Sequence, residues 1–346
     1  MVISEYNSHK IKALSFISIV FVIYIHSPYL EAAGFPVARV VQAFVADFGL
    51  ALFAVPMFFA ISGMLFFNGA KKVSDCYPKI RKRIRTLLVP YIIWNLIFVG
   101  WYVVMAITPG VSSFVNSDML SNLNLSDPLD TLNFLFIEPA RFHLWFLRDL
   151  MLFVCMSPLI YIAVKKAPWM TLAIVFLATG WIPRCGLCYF VAGGVLSLHY
   201  NLETLKRFLS TPVTIVCLSL YLLNALVTVM FGAYPENAFW QYYIKLMSFV
   251  AILAVWGGYD LISNFKLINT KLFNPFPGYS FFIYLFHEPA FNIIKKLGLR
   301  LLGVHEWALI LLYLVNPIIM CAIAIMVAMA LQKIMPKTYS ILVGGR

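Results

Sequence analysis

The chain has 346 residues, of which 62% are hydrophobic and 12% are charged, and its mean hydropathy is +0.88. This is more apolar surface than one globular core can bury, so the composition predicts an integral membrane protein and excludes a collagen-like or disordered chain. In a membrane protein, the formal charge of +12 is interpreted from the loops that carry it, so nucleic acid is not an expected partner.

Apolar runs of membrane-crossing length recur along the whole chain. They predict an all-α polytopic bundle of about ten transmembrane helices, formed by residues 1–346 as one transmembrane domain with no separate extracytoplasmic domain. The predicted spans lie near residues 13–33, 46–69, 86–108, 144–164, 168–183, 187–199, 212–232, 240–258, 278–297 and 306–331. The fifth and sixth are short and are interrupted by glycines, which predicts a tilted or broken pair.

Most Lys and Arg residues fall in alternate loops, which predicts that both termini face the cytoplasm. The polar segment from Thr108 to Phe142 is then expected outside. An alternative for the first span is a signal peptide, with Lys10 and Lys12 before the apolar run and cleavage near Ala33. Nine further spans favour a retained first helix.

The first span contains a histidine, His26, in the stretch "IVFVIYIHSPYL". From Lys12 to His26 is about 21 Å of helix, so the imidazole is predicted near the outer face. One interpretation is an interfacial histidine that is hydrogen-bonded to a carbonyl. The other is a functional base inside the bundle.

The ninth span, "GYSFFIYLFHEPAF", contains His287 and Glu288. An ionisable side chain in hydrocarbon costs about 2.5–3.5 kcal/mol, so these two residues need a partner or a polar cavity. Neighbouring helical residues point about 100° apart, so at least one of the pair is expected to face the bundle interior. A neutral imidazole there is suited to take a proton from a hydroxyl, which is compatible with acyl or phosphoryl transfer.

Five phrases in this order resemble one family: "VFVIYIHS", "VPMFFAISGMLFF", "KIRKRIRTLLVPYIIW", "HLWFLRDLMLFVCMSPL" and "FIYLFHEP". Together they look like the bacterial acyltransferase-3 family, membrane-embedded O-acyltransferases that modify surface polysaccharides and other envelope glycans. The resemblance implies a multi-pass protein of the bacterial inner membrane, an acyl-CoA donor such as acetyl-CoA, and His26 as catalytic base. His287 and Glu288 are expected to orient it or relay its proton. Direct transfer and a covalent intermediate both remain open.

The family normally has a basic residue eleven positions before this histidine, where the chain has Ser15. Lys12, one turn earlier, is expected to substitute for it by snorkelling. The resemblance also assigns donor binding to the basic hairpin after the second span, where five cations could grip phosphates: Lys79, Arg81, Lys82, Arg83 and Arg85. Without the resemblance, such a cluster is more typical of a topology signal or an anionic-lipid contact.

Two further groups have both a structural and a functional interpretation. Ser62 and Gly63 either allow close helix packing or leave room for the pantetheine arm of the donor. The start of the fourth span has polar and aromatic side chains that suit a sugar acceptor or an interfacial belt: Arg141, His143, Trp145, Arg148 and Asp149.

Cys185 and Cys188 form a C-x-x-C pair with no nearby further ligands. This favours a disulfide or two packed thiols over a metal site, and no metal is expected. A second hypothesis for the whole chain is an exporter or flippase of a polysaccharide or lipid-linked sugar, because a polar seam with two histidines could line a permeation path. The basic hairpin paired with His26 favours the enzyme.

Overall fold

The structure is a computed structural model that describes residues 3–46, 48–108, 142–231, 237–263 and 276–345. These residues form α-helices, short 3-10 turns and connecting loops, with no strand among them. The helices are α1 (Glu5–Ile25), α2 (Pro36–Val45), α3 (Ala54–Phe67), α4 (Cys76–Ile107), α5 (Trp145–Cys155), α6 (Ser157–Lys166), α7 (Pro168–Thr179), α8 (Leu187–His199), α9 (Leu202–Phe208), α10 (Thr211–Phe231), α11 (Ala238–Ile262), α12 (Ser280–Leu302), α13 (Glu306–Ile334) and α14 (Pro336–Leu342).

Several helix ends are set by capping residues. The side chains of Ser4, Asn201 and Asn237 accept hydrogen bonds from backbone N–H groups in the first turns of α1, α9 and α11. These caps satisfy N–H groups that have no partner inside the helix. At the C-terminus of α12, Gly303 has a φ of 76°, which residues with a side chain rarely adopt, and the helix ends there.

The prediction of an all-α membrane protein is confirmed. Among the described residues, five helices are long and apolar enough to cross a bilayer, or six if the neighbouring segments Phe142–Cys155 and Ser157–Lys166 count as one broken span. The five are α1, residues 73–101 including most of α4, and α10, α11 and α13. The predicted count of ten is not confirmed, and the orientation of the termini stays a prediction.

The chain divides into two compact units. The first comprises Met1–Cys76 and Ser157–Met326, and the second comprises Tyr77–Met156 and Val327–Arg346. In the first unit, α3 and α8 cross so closely that a Cβ on Gly63 would lie 2.0 Å from the Phe190 carbonyl oxygen. A Cβ on Gly193 would lie 2.0 Å from the Ala60 carbonyl oxygen. The glycines therefore allow backbone contact, the packing interpretation given above for Gly63.

The fifth and sixth predicted spans are short helices in the structure, and they are not confirmed as membrane spans. α7 has 12 residues and α8 has 13, or about 18–20 Å of helix against roughly 30 Å of hydrocarbon. Within the second unit, the indole N–H of Trp94 in α4 donates to the Leu342 carbonyl at 3.2 Å. That bond ties the C-terminal helix α14 to α4.

Candidate functional site

The two histidines predicted separately from the first and ninth spans lie side by side. His26 caps the C-terminus of α1, and its backbone N–H donates to the Ile23 carbonyl at 3.1 Å. Its ring stacks on that of His287 from α12, with centroids 5.4 Å apart and planes inclined by 19°. His26 is half-buried and His287 is 0% exposed. A titratable pair therefore lies at the end of α1, inside the first unit.

The helix that supplies His287 is broken immediately after it. Glu288 has φ −102° and ψ 139°, outside the helical region. It precedes Pro289, and a residue before proline is disfavoured in the helical region because the proline ring clashes with it. The break makes the 100° spacing of an unbroken helix inapplicable to His287 and Glu288. Both side chains are buried, at 0% and 3% exposure.

The hydrogen bonds of His287 define its tautomer. Its Nδ1 lies 2.8 Å from the Tyr284 carbonyl oxygen and 3.3 Å from that of Ile283. Because a carbonyl only accepts, Nδ1 must carry the proton, so in the neutral ring Nε2 has the lone pair. One turn further, Glu288 Oε2 accepts a hydrogen bond from Asn292 Nδ2 at 3.0 Å. The ring and the carboxylate are each oriented by a neighbour on α12.

Lys295, which was not predicted as a site residue, fixes the backbone beside His26. Its Nζ donates to the carbonyl oxygens of Pro28 at 2.6 Å and of His26 at 3.4 Å. The same ammonium lies 4.9 Å from the centre of the Tyr29 ring, within cation–π range. An ionisable residue inside the predicted ninth span was the available signal for Lys295.

A network of buried polar groups orders the rest of the loop after His26. The Tyr29 backbone N–H donates to Gln42 Oε1 at 3.1 Å, and Asn316 Nδ2 donates to the Tyr29 hydroxyl at 2.6 Å. Ser27 Oγ donates to the Tyr313 carbonyl at 3.3 Å. All five residues are buried. Residues of α2 and α13 therefore restrict the loop that carries the candidate base, and nothing in the sequence pattern singled them out.

The basic residue buried near the start of α1 is Lys10. It is 1% exposed, its Nζ pairs with Asp260 Oδ2 at 2.8 Å, and it lies 4.5 Å from the centre of the Trp256 ring. Lys12 is exposed on another face of the helix. Its predicted role as a substitute for the basic residue at the position of Ser15 stays a prediction. Ser15 Oγ donates to the Ile11 carbonyl within α1, at 2.8 Å.

The predicted basic hairpin is wrong in its secondary structure. All five cations lie in the first turns of α4, because the segment continues without a break into the 32-residue helix. At 100° per residue, Arg81 and Arg85 share a face while Arg83 points the opposite way, so the five do not converge. Arg81, Arg85 and Tyr77 lie along one exposed face of α4. Lys82 is exposed and Arg83 is half-buried, while Ser62 is half-buried on α3 in the first unit.

The predicted acceptor group begins at residue 142 in the structure, since Arg141 lies outside the described residues. His143 is 3% exposed and packs edge-on against Phe98, with ring centroids 5.5 Å apart. Arg148 Nε and Nη2 donate to Asp149 Oδ1 at 2.9 and 2.8 Å. Trp145 begins α5 and is half-buried. These four residues belong to the second unit.

Cys185 and Cys188 are free thiols, and Cys188 is buried. Of the two alternatives left open for this pair, the structure has two thiols and no disulfide. Among the residues that the structure describes, no group of three or more His, Cys, Asp or Glu side chains could coordinate a metal ion.

Comparison with known proteins identifies the family. Residues 9–332 match the acyltransferase domain family Acyl_transf_3. Succinoglycan biosynthesis protein ExoH of Rhizobium meliloti (strain 1021) is 27% identical over 356 residues, which cover 98% of this chain and 92% of that protein. A comparison with solved structures gave no match.

Proposed function

This chain belongs to the acyltransferase-3 family and is a multi-pass membrane O-acyltransferase, and we propose that it moves an acyl group from acyl-CoA to a hydroxyl of an envelope polysaccharide. The donor we propose first is acetyl-CoA, and the location is the bacterial inner membrane. The similarity to a protein named for succinoglycan biosynthesis supports a polysaccharide acceptor. A free glycan and a lipid-linked sugar intermediate are both acceptors of this class.

One observation carries the mechanism: the stacked imidazoles of His26 and His287 at the end of α1. In the proposed reaction His26 takes the proton of the acceptor hydroxyl while its oxygen attacks the thioester carbonyl carbon. The carbon–sulfur bond then breaks, and the departing CoA thiolate receives the proton from His26. The Nδ1–H of His287 is bonded to the Tyr284 carbonyl, so its Nε2 is the atom able to orient or relay that proton. Glu288, bonded to Asn292, adds negative charge next to His287 in sequence.

Donor binding is proposed at the exposed face of α4. Arg81, Arg85 and Tyr77 lie on one face of this helix, and two guanidinium groups there suit the phosphates of CoA. Lys82 and Arg83 point along other faces and are proposed to add only to the local positive charge. Lys12 is proposed to add a further cation. Ser62, half-buried on α3 in the first unit, is proposed as a contact of the donor's pantetheine arm.

The acceptor is proposed to contact residues at the start of α5. Trp145 offers an aromatic face for a sugar ring, and the Arg148–Asp149 pair offers hydrogen-bond donors and acceptors for its hydroxyls. His143, which packs on Phe98, and Arg141 complete the predicted group. Membership of an acyltransferase family favours the enzyme over the alternative of an exporter or flippase.

The test is acyl transfer by purified protein in liposomes, with labelled acetyl-CoA inside and the glycan outside. His26→Ala is expected to lower transfer by about 10²-fold or more, the usual contribution of a general base. His287→Ala is expected to lower it less. The matched control is His305→Ala, an exposed histidine in the α12–α13 loop, with unchanged transfer.

Two outcomes would contradict the proposal. Wild-type transfer by His26→Ala would remove the catalytic assignment. If the wild-type protein moved glycan across the liposome membrane without releasing CoA, the exporter would replace the enzyme.

A further inference from the structure

An apolar groove of about 500 Å³ lies among α3, α7, α8, α9 and α11, all in the first unit. Its walls include Met57, Leu196, Phe249 and Leu253. The volume falls within the roughly 300–1,000 Å³ of typical ligand sites, and a wall this poor in polar groups suits a hydrocarbon better than a nucleotide or a sugar.

The mouth of the groove has the residues of a membrane–water interface. Trp169 and Tyr200 both line it, are 61% and 37% exposed, and are joined by a 3.1 Å hydrogen bond from the indole N–H to the phenol oxygen. Paired Trp and Tyr at such a position are typical of the headgroup level of a bilayer. Nearby, Lys165 Nζ donates to the Leu198 carbonyl at 3.5 Å.

Positively charged residues lie on α9, next to the mouth of the groove. α9, whose Leu205 and Phe208 line the groove, also has Lys206 and Arg207 exposed, with Glu203 as its acidic residue. Lys10 lies over the ring of Trp256, with its Nζ 4.5 Å from the ring centre. Trp256 is only 6% exposed, yet it lines the groove. The apolar groove therefore has Lys206 and Arg207 beside it, an arrangement complementary to an anionic amphiphile.

We propose that this groove binds one hydrocarbon chain of an anionic phospholipid from the surrounding bilayer, with its phosphate beside Lys206 and Arg207. The groove is distinct from the site of the candidate base, because His26 lies about 24 Å further along α1 than Lys10, which lies over the Trp256 ring of the groove wall. Cations beside a membrane surface attract anionic headgroups, and the chain adds the apolar contact. Phosphatidylglycerol is the probe for this lipid class.

Trp256 in the groove wall can report a bound lipid chain, because a brominated chain quenches tryptophan fluorescence only at short range. The protein is reconstituted in phosphatidylcholine vesicles with increasing phosphatidylglycerol brominated in its chains. Trp256→Phe is expected to remove a quenched component of the emission. Trp94→Phe is the matched control, because Trp94 is as well buried, at 5% exposed, but does not line the groove. Equal changes in the two variants would overturn the proposal.

Two further variants separate the chain from the headgroup. Ala192→Phe fills the groove and is expected to abolish quenching of Trp256, whereas Ala322→Phe on the exposed face of α13 is not. Lys206→Gln with Arg207→Gln is expected to raise the phosphatidylglycerol fraction needed by about fivefold per cation. Lys333→Gln with Lys337→Gln is the charge-matched control. Full quenching of Trp256 in Ala192→Phe would refute chain binding, and equal quenching by brominated phosphatidylcholine would refute the anionic selectivity.

Discussion

Replacing Lys295 by methionine tests whether the loop beside His26 must be fixed for transfer. Methionine keeps most of the apolar stem but removes the ammonium that donates to Pro28 at 2.6 Å and to His26 at 3.4 Å. A hydrogen bond to a charged group contributes about 1.5–3 kcal/mol. At about 1.4 kcal/mol per factor of ten, full loss of that positioning would lower kcat/KM by about 10–150-fold. Lys295 is only half-buried, so we expect the lower end, about tenfold.

The assay is initial-rate transfer from labelled acetyl-CoA, with thermal unfolding measured on the same samples. The loss is expected in kcat, with KM for acetyl-CoA unchanged, because Lys295 acts through the position of His26. Lys295→Arg is expected to recover part of the rate, since a guanidinium still donates to the carbonyls. Lys296→Met, the exposed neighbour, is the control. Wild-type kcat in Lys295→Met at unchanged Tm would refute the positioning role.

Three other substitutions test packing, the ion pair and donor binding. Gly193→Ala places a Cβ 2.0 Å from the Ala60 carbonyl oxygen and should destabilise the protein by about 1–3 kcal/mol in thermal unfolding; Gly100→Ala, with open space around it, should not. Lys10→Met leaves Asp260, which is 21% exposed, without its cation, so the loss in free energy of unfolding should fall below the roughly 3–5 kcal/mol of a fully buried pair. Lys12→Met should change that free energy by no more than about 0.5 kcal/mol. Equal losses in the two variants would contradict the assignment of Lys10 as the buried partner of Asp260. Arg81→Gln with Arg85→Gln should raise KM for acyl-CoA by about tenfold at constant kcat, while the control pair Lys71→Gln with Lys72→Gln should leave KM unchanged. An unchanged KM in the Arg81 and Arg85 variant would contradict donor binding at this face of α4.

The membrane class was predictable because it depends on local sequence, whereas the role of His26 as base came from the family resemblance and stays a prediction. Apolar length alone identified an all-α membrane protein, and the cost of an ionisable group in hydrocarbon singled out His26, His287 and Glu288. What the sequence could not supply was the contact between the two histidines. That contact depends on α12 packing against α1 and on the break at Glu288, which the following proline could have indicated.

The supporting residues were missed because their roles depend on tertiary contacts. Lys10 and Lys12 are equally basic, and only packing against Trp256 and Asp260 determines which of them is buried. Lys295 was within a predicted span, but its acceptors are carbonyls of a loop distant in sequence. Backbone carbonyls carry no sequence signature, so such a partner is visible only in the structure.

The basic segment before α4 shows a different limit. Its cations were recognised, but a cluster of charges does not specify a hairpin or a helix. The apolar residues interleaved among them favour continuation into α4. Because a helix distributes consecutive side chains around its axis, the cations divide between opposite faces, with Arg81 and Arg85 on one and Lys79 and Arg83 on the other.

The central claim is that the imidazole of residue 26 accepts the proton of the acceptor hydroxyl, and chemical rescue tests it most directly. In His26→Gly, which leaves space where the ring stood, transfer is measured as imidazole is added to the buffer. We expect a rate that rises with the concentration of neutral imidazole, and no such rise in Lys295→Met. A His26→Gly protein that transfers acyl groups at the wild-type rate without imidazole would contradict the account.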